Sequence, residues 1–426
     1  LQRLHDKGEL YKDTYTGWYS TAAERFWTEK DLIDGKCPDT GQPVVEITET
    51  NWFFKMSAYQ ERLIAHIEAN PGFIRPASRK NEILGFLRKE LGDLCISRPV
   101  SRMSWGIPFP FDEDFVTYVW FDALINYISF AGYRKGGSTD LPDFDQLWPA
   151  NAHVIGKDIL VPAHAIYWPC MLRAMGFRDE QMPSLLVHGW WNIRKGGTGA
   201  GADAHAEEKM SKSLGNVVDP DHLVDQFGVD AVRYYLVRDI VTGKDSAFDV
   251  NRLISLFNSE LANDLGNLLN RSLNMTKRFV GGEISPGTYD DEACSQLRTS
   301  LSSVTDAYHA AMETHDLAGA LKAINTHVVH CNQFIEKNPP FELRKDESQA
   351  ERVAAILYHL CESCTHLAIL LSPFLPASSA KMLGQLRAEE AAPGNLDELR
   401  WGLLPSGHQT GKAKPVFPRI MMDDDQ

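Results

Sequence analysis

The chain has 426 residues, of which 43% are hydrophobic, and carries a net charge of -14. This length allows two or three domains with ample core, and the acidic balance excludes a protein that holds nucleic acid by its overall field, because such domains displace phosphate counterions with a basic surface. Local basic grooves on an acidic body stay open. No apolar run approaches the length needed to cross a bilayer, so a globular chain without spans is expected.

The start, Leu1-Gln2-Arg3-Leu4-His5 running into Gly8-Glu9-Leu10-Tyr11, reads as helix and turn already inside a domain, without a targeting segment. Short apolar pieces follow at Trp18-Tyr19, Phe26-Trp27 and Val44-Val45, then the aromatic cluster Trp52-Phe53-Phe54 and an amphipathic helix over 57–68. From 96 to 249 the pattern alternates strand-like runs (117–120, 153–155, 185–188) with helical ones (123–132, 164–175, 219–227). Such alternation predicts parallel strands with crossover helices, half of a doubly wound sheet whose ligands sit at the carboxyl ends of the strands. His153, His188 and Trp120 are placed at those ends.

A Gly-, Ala- and Thr-rich insertion at 196–208 precedes the most informative stretch, Lys209-Met210-Ser211-Lys212-Ser213. Two lysines held close together beside a loop serine can meet the α-phosphate of a nucleotide and its leaving pyrophosphate, stabilising charge that grows only in the transition state. Alone, a basic pentapeptide is more often a solvated loop. Beyond 251 the spacing is helical throughout, with apolar residues three and four apart in 261–273, 317–334 and 354–371, which predicts an all-α bundle punctuated by Pro339-Pro340 and 373–376. The terminal Asp423-Asp424-Asp425 reads as a solvated tail. Seven cysteines lack framework spacing, so a reducing compartment is expected, and the close pair Cys361 and Cys364 in an apolar helix reads as core packing rather than a half-site for metal.

In order along the chain stand Tyr118-Val119-Trp120-Phe121-Asp122-Ala123, Ile155-Gly156-Lys157-Asp158-Ile159, His188-Gly189-Trp190-Trp191, the lysine pentamer and Leu214-Gly215-Asn216-Val217-Val218-Asp219-Pro220. Together they resemble a class I aminoacyl-tRNA synthetase of the methionyl type, bacterial or organellar subgroup, over nearly the whole chain. The resemblance implies an α/β fold: the second half of a Rossmann-type parallel sheet with a connective insertion, followed by an all-α anticodon-binding helix bundle. It places the insertion at 1–95, the catalytic half with its lysine loop at 96–250 and the anticodon bundle at 251–426. The implied reaction is attack of the methionine carboxylate on ATP to give methionyl-adenylate, then transfer to tRNA(Met).

By the same resemblance Lys209, Ser211 and Lys212 are catalytic. Trp120, Asp122, Ala123, Tyr127, Ile159, His164 and Trp168 would bind methionine, an apolar, polarisable side chain suited to an aromatic pocket with a carboxylate for its amine. Gly156, Lys157, Asp158, His188 and Gly189, with the two lysines, would bind ATP, which brings Mg2+. Asn267 and Arg271, four apart on a helix, would read unstacked anticodon bases, and Phe341 after Pro340 would stack one where relatives use a tryptophan. Arg98 matches an arginine near the family's active site. Two departures stand out. The spacing from Ile159 to His164 is one residue longer than usual, and the zinc knuckle of relatives is reduced to Ser20, Ala23, Cys37 and Thr40, so no structural zinc is expected.

Class I enzymes also carry a His-Ile-Gly-His-like turn near their first strand, and none occurs here. The first half of the nucleotide fold would have to precede Leu1, which leaves two readings: an aminoacylating enzyme seen in part, or a noncatalytic tRNA-binding remnant. Another class I synthetase or nucleotidyltransferase is disfavoured by the paired tryptophans and the methionyl-type spacing. A monomer is expected, in the mitochondrial matrix or alternatively the bacterial cytoplasm.

Overall fold

The computed structural model describes residues 1–23, 25–134, 142–194, 207–210 and 215–421, which divide into two compact units, Leu1–His188 and Gly189–Gln426. The low-complexity insertion lies largely outside the described residues, as do Ser211, Lys212 and the acidic tail.

In the first unit a long antiparallel ribbon pairs Leu10–Ser20 with Val45–Phe54, in register from Leu10 opposite Phe54 to Tyr19 opposite Val45. Arg25–Trp27 and Leu94–Cys95 extend it to four strands. The ribbon buries its ends and exposes its middle: Leu10 and Phe54 enter the core, while 12–16 stand in solvent. Helix Gln60–Ala69 buries Leu63 and Ile67, four apart on one face, as the predicted amphipathic helix should.

A parallel three-stranded sheet follows the order Ile74–Arg75, Ser184–His188, Ala152–Gly156. Its two longer strands are the ones the alternation predicted at 153–155 and 185–188. Ile74–Arg75, by contrast, comes from the stretch read as insertion, so part of that stretch shares the core of the parallel sheet. The segment expected as strand over 117–120 differs too. The strand is Asp112–Thr117, antiparallel to Ser97–Pro99, and the chain turns helical at Val119–Ala123. Thr117 is held by its backbone N–H and hydroxyl, both donating to Ile107 O, and Tyr118 then leaves the strand as an N-cap. Trp120 therefore sits on a helical turn and not at a strand end.

Between the two longer parallel strands the chain runs through a π-helical segment, Leu160–Tyr167, into the α-helix Trp168–Met175. Gly176 ends that helix at φ 100°, a left-handed conformation that costs glycine little, with its N–H donating to Arg173 O and that of Phe177 to Leu172 O.

The second unit opens on a small sheet in which Trp191–Arg194 pairs antiparallel with Glu207–Lys209 and parallel with Ser246–Phe248. Gly189 admits no side chain: a Cβ there would lie 2.1 Å from Lys244 O. The rest is helical, chiefly Asn267–Val280, Glu292–Glu313, Leu317–Lys337 and Ala350–Leu371. The last is the axis of the bundle. The segment Glu347–Leu371 is apolar and long enough to cross a membrane, contrary to the expectation from the sequence, but its most apolar stretch is 94% buried among the other helices. A helix apolar all round is what a central core position demands.

Candidate functional site

Tyr127, His164 and Trp168 come together in the first unit. His164 and Trp168, four apart, lie where the π-helical segment passes into the α-helix, and Tyr127 approaches from helix Asn126–Phe130. The Tyr127 hydroxyl lies 2.7 Å from His164 Nε2, and His164 Nδ1 lies 2.8 Å from Ile159 O. A carbonyl can only accept, so Nδ1 carries the proton and Nε2 accepts from Tyr127. Burial lowers the His164 pKa despite that carbonyl and raises the Tyr127 pKa, so both are neutral at physiological pH.

The ring centroid of Tyr127 is 5.8 Å from that of Trp168 and 4.1 Å from that of His153, and Trp148 closes on His153 and Trp168 at 6.1 and 6.2 Å. His153 is buried, which lowers its pKa to about 4, with His164 adding to the effect. The result is a closely packed aromatic cluster that carries no charge. The sequence marks His153 only as a strand-end residue and gives no sign of Trp148. Trp148 lies outside every motif, so only the fold brings it in.

The stretch from Ile159 to His164 is kinked: Val161 leaves helical geometry at φ -111°, ψ 126° inside the π-helical segment. Ile159, Trp120 and Ala123 are half-buried, and the two side chains at 120 and 159 pack against the same core. Asp122 is exposed and lines two cavities, one of about 560 Å³ with Arg98, Trp105 and Tyr118 and one of about 420 Å³ with Phe121, Ile125 and Met171.

Gly156 and His188 end neighbouring parallel strands and stand opposite each other in register. A Cβ on Gly156 would lie 2.5 Å from Asp158 Oδ1 and 3.7 Å from the His188 ring, so glycine lets these groups converge. Lys157 begins the short helical turn Lys157–Ile159. This cluster lies at the carboxyl ends of the strands, the expected ligand position. In the second unit the backbone of Lys209 closes an edge strand, paired with Asn192, immediately before the lysine loop.

Asn267 and Arg271 are both exposed on one face of helix Asn267–Val280. Phe341 is 50% exposed and sits edge-on to Phe279 at 5.0 Å, with the Arg278 guanidinium 5.6 Å above it and Arg344 5.4 Å above Phe279. Arg278, seven residues after Arg271, lies two turns further along that face, a periodicity present in the sequence but not used.

The zinc expected of relatives does not fit this chain. Cys37 is buried, which pushes its thiol up, but hydrogen bonds from the Ser20 and Thr40 side chains and the Thr40 and Asp39 backbone outweigh this and bring it down to about 7. The neighbours thus offer donors to one sulfur, where a tetrahedral zinc needs four ligand lone pairs. In the bundle, Asp290, Cys294 and His359 approach one another closely enough for a cation. The His359 lone pair already accepts from Arg298 Nη1 at 2.8 Å, while its Nδ1 donates to Ala355 O, so a guanidinium holds that place. Burial pushes Cys361 up to about 11 and holds Cys364 well above the usual thiol value, as inert core thiols.

Residues 40–273 match the family model described as tRNA synthetases class I (M), and residues 284–426 match the anticodon binding domain of methionyl tRNA ligase. The chain is 40% identical to the methionine–tRNA ligase of Caldanaerobacter subterraneus over 420 residues, and 42% identical to that of Clostridium perfringens over 425. Those alignments cover 99% and 100% of this chain but 62% of either relative, so the chain spans less than two thirds of their length. Among solved structures, the free form of Mycobacterium tuberculosis methionyl-tRNA synthetase superposes with a TM-score of 0.83 at 34% identity, covering 99% of this chain and 80% of that one. The same synthetase in complex with methionyl-adenylate gives 0.82 at 36% identity, covering 98% and 79%.

Proposed function

Because the chain belongs to the class I tRNA synthetases of the methionyl type, we propose that it activates methionine with ATP to methionyl-adenylate and transfers the methionyl group to tRNA(Met). The observation that carries this reading is the neutral aromatic cluster of Tyr127, His153, His164 and Trp168, with Gly156, Asp158 and His188 converging at the strand ends.

In this reading Trp120, Ala123, Tyr127, Ile159, His164 and Trp168 seat the thioether side chain, Asp122 meets the ammonium group, and Gly156, Lys157, Asp158, His188 and Gly189 receive the nucleotide. Attack of the methionine carboxylate on the α-phosphate needs little proton transfer; positioning and charge stabilisation suffice. Lys209 and Lys212, with Ser211 between them, neutralise charge on the pyrophosphate as it departs, and Mg2+ arrives with ATP. Asn267, Arg271 and Phe341 meet the anticodon. We assign the insertion to 1–95 apart from Ile74–Arg75, which pairs in the parallel sheet, the catalytic half to 96–250 and the anticodon module to 251–426, acting as a monomer. The bacterial sources of the relatives favour a bacterial cytoplasm over the mitochondrial matrix.

The test is ATP–pyrophosphate exchange dependent on methionine. Trp120→Ala should raise the Michaelis constant for methionine at least about tenfold, and Lys212→Ala should depress exchange with methionine binding retained. Exchange unaffected by Lys212→Ala would refute the assignment. Tight tRNA binding without any exchange would favour the noncatalytic reading.

A further inference from the structure

The Arg173 side chain is 0% exposed, yet only its Nε has an acceptor, Asp179 Oδ1 at 2.8 Å. Nη1 and Nη2 are buried and meet no acceptor among the described residues. Asp179, on the short helical turn Asp179–Gln181, is shared: its Oδ2 also accepts from the Arg62 guanidinium at 3.2 Å. His66 stands one turn beyond Arg62 on the same face of helix Gln60–Ala69, which brings its ring beside this group. Its Nδ1 lies 3.3 Å from Asn70 Nδ2, and that same Nδ2 donates to His66 O at 2.8 Å, which fixes the orientation of the amide. An amide nitrogen can only donate, so the proton of the neutral ring is on Nε2. Burial, and then the Arg173 charge, lower the His66 pKa and keep the ring neutral at physiological pH. Nε2 is buried too, and no described residue accepts from it.

Every unspent group at this spot is therefore a donor. Buried donors without an acceptor are costly, and a guanidinium that only shares a carboxylate keeps positive charge inside the protein, which costs more. The neighbouring charges leave one positive unit uncancelled: Arg62, Arg173 and Arg178 stand against Asp179 and Glu180, with Arg178 and Glu180 3.7 Å apart at the surface. A water would bring two hydrogens that themselves need acceptors. A carboxylate or phosphate carried by a larger molecule could not reach nitrogens sealed from solvent. We propose that Arg173 and His66 hold a small monovalent anion of halide size, chloride, between helices Gln60–Ala69 and Trp168–Met175. The ion ties the two helices through their buried faces, and the inference stands whether or not the chain aminoacylates.

Two measurements on the full chain test this. The melting temperature is followed at constant pH and ionic strength while sodium gluconate is exchanged for sodium chloride; it should rise by about 3 °C by about 100 mM chloride and then level off. The chloride increment should vanish in Arg173→Met and persist in Arg178→Met, which removes an exposed guanidinium of the same cluster. Should Arg173→Met fail to fold, His66→Phe keeps a ring against Phe73 and removes one donor, so the chloride midpoint should move up about tenfold. Crystals grown in sodium bromide should show an anomalous peak at the bromine edge within hydrogen-bonding reach of Arg173 Nη1 and Nη2. A water at that place without anomalous signal, or an unchanged chloride increment in the Arg173 and His66 variants, would overturn the proposal. A melting temperature indifferent to the exchange overturns it even where bromide binds, since that marks an adventitious ion only.

Discussion

At the scale of single residues, burial decides protonation in the Tyr127–His164 cluster. A histidine with lone pair and proton both engaged, as in His164, cannot swing without losing two hydrogen bonds, and cannot charge without giving up the one it accepts from Tyr127. His153 is held at a pKa of about 4 and the buried His327 at about 3, in each case first by desolvation. An unfolded histidine binds a proton near pH 6.5, so as pH falls from there toward 4 the unfolded chain gains protons that the folded one refuses, and stability drops. For His153 the expected loss between pH 7 and 5 is about 2 kcal/mol. Chemical denaturation at both pH values checks it: His153→Gln should remove about that much of the acid-side loss, and an unchanged pH dependence would count against a buried neutral His153.

At the scale of elements, two devices decide where side chains go. The π-helical segment Leu160–Tyr167 breaks from helical geometry at Val161, ahead of His164. Deleting Pro162 should therefore be tolerated, with melting lowered by only a few degrees, whereas deleting Leu172 from the regular helix Trp168–Met175 should abolish cooperative unfolding. Similar damage from both deletions would argue that the break at Val161 lends no tolerance. In the bundle, Glu362 is fully buried on helix Ala350–Leu371, and its carboxylate accepts from the N–H groups of Gly402, Leu403 and Leu404 at 2.7, 2.7 and 3.0 Å. It ties the segment after the last helix to the core. Glu362→Ala should destabilise by about 3 kcal/mol, since buried donors lose their acceptor, and should speed hydrogen exchange at residues 402–404. Unaltered exchange there would mean the segment is held by other contacts.

At the scale of the whole molecule, the knuckle ties family to chain. If hydrogen bonds to Cys37 have replaced a metal, purified protein should carry less than about one tenth equivalent of zinc, and chelator should leave its melting temperature unchanged. Stoichiometric zinc by elemental analysis would reverse this. Much was legible in the linear order of residues: the alternation that makes two parallel strands with a helical crossover, the helical periodicity beyond 251, and the 127–164–168 grouping carried by motif. Those are local signals, set by side-chain period and spacing, and they survive folding because strand and helix geometry are themselves local. Tertiary structure decided the rest. Only packing could bring Trp148 and His153 into the aromatic cluster, turn Trp120 onto a helix, lend Ile74 to the parallel sheet and stand Trp105 in solvent, because each depends on partners far apart in the chain whose approach no periodicity encodes.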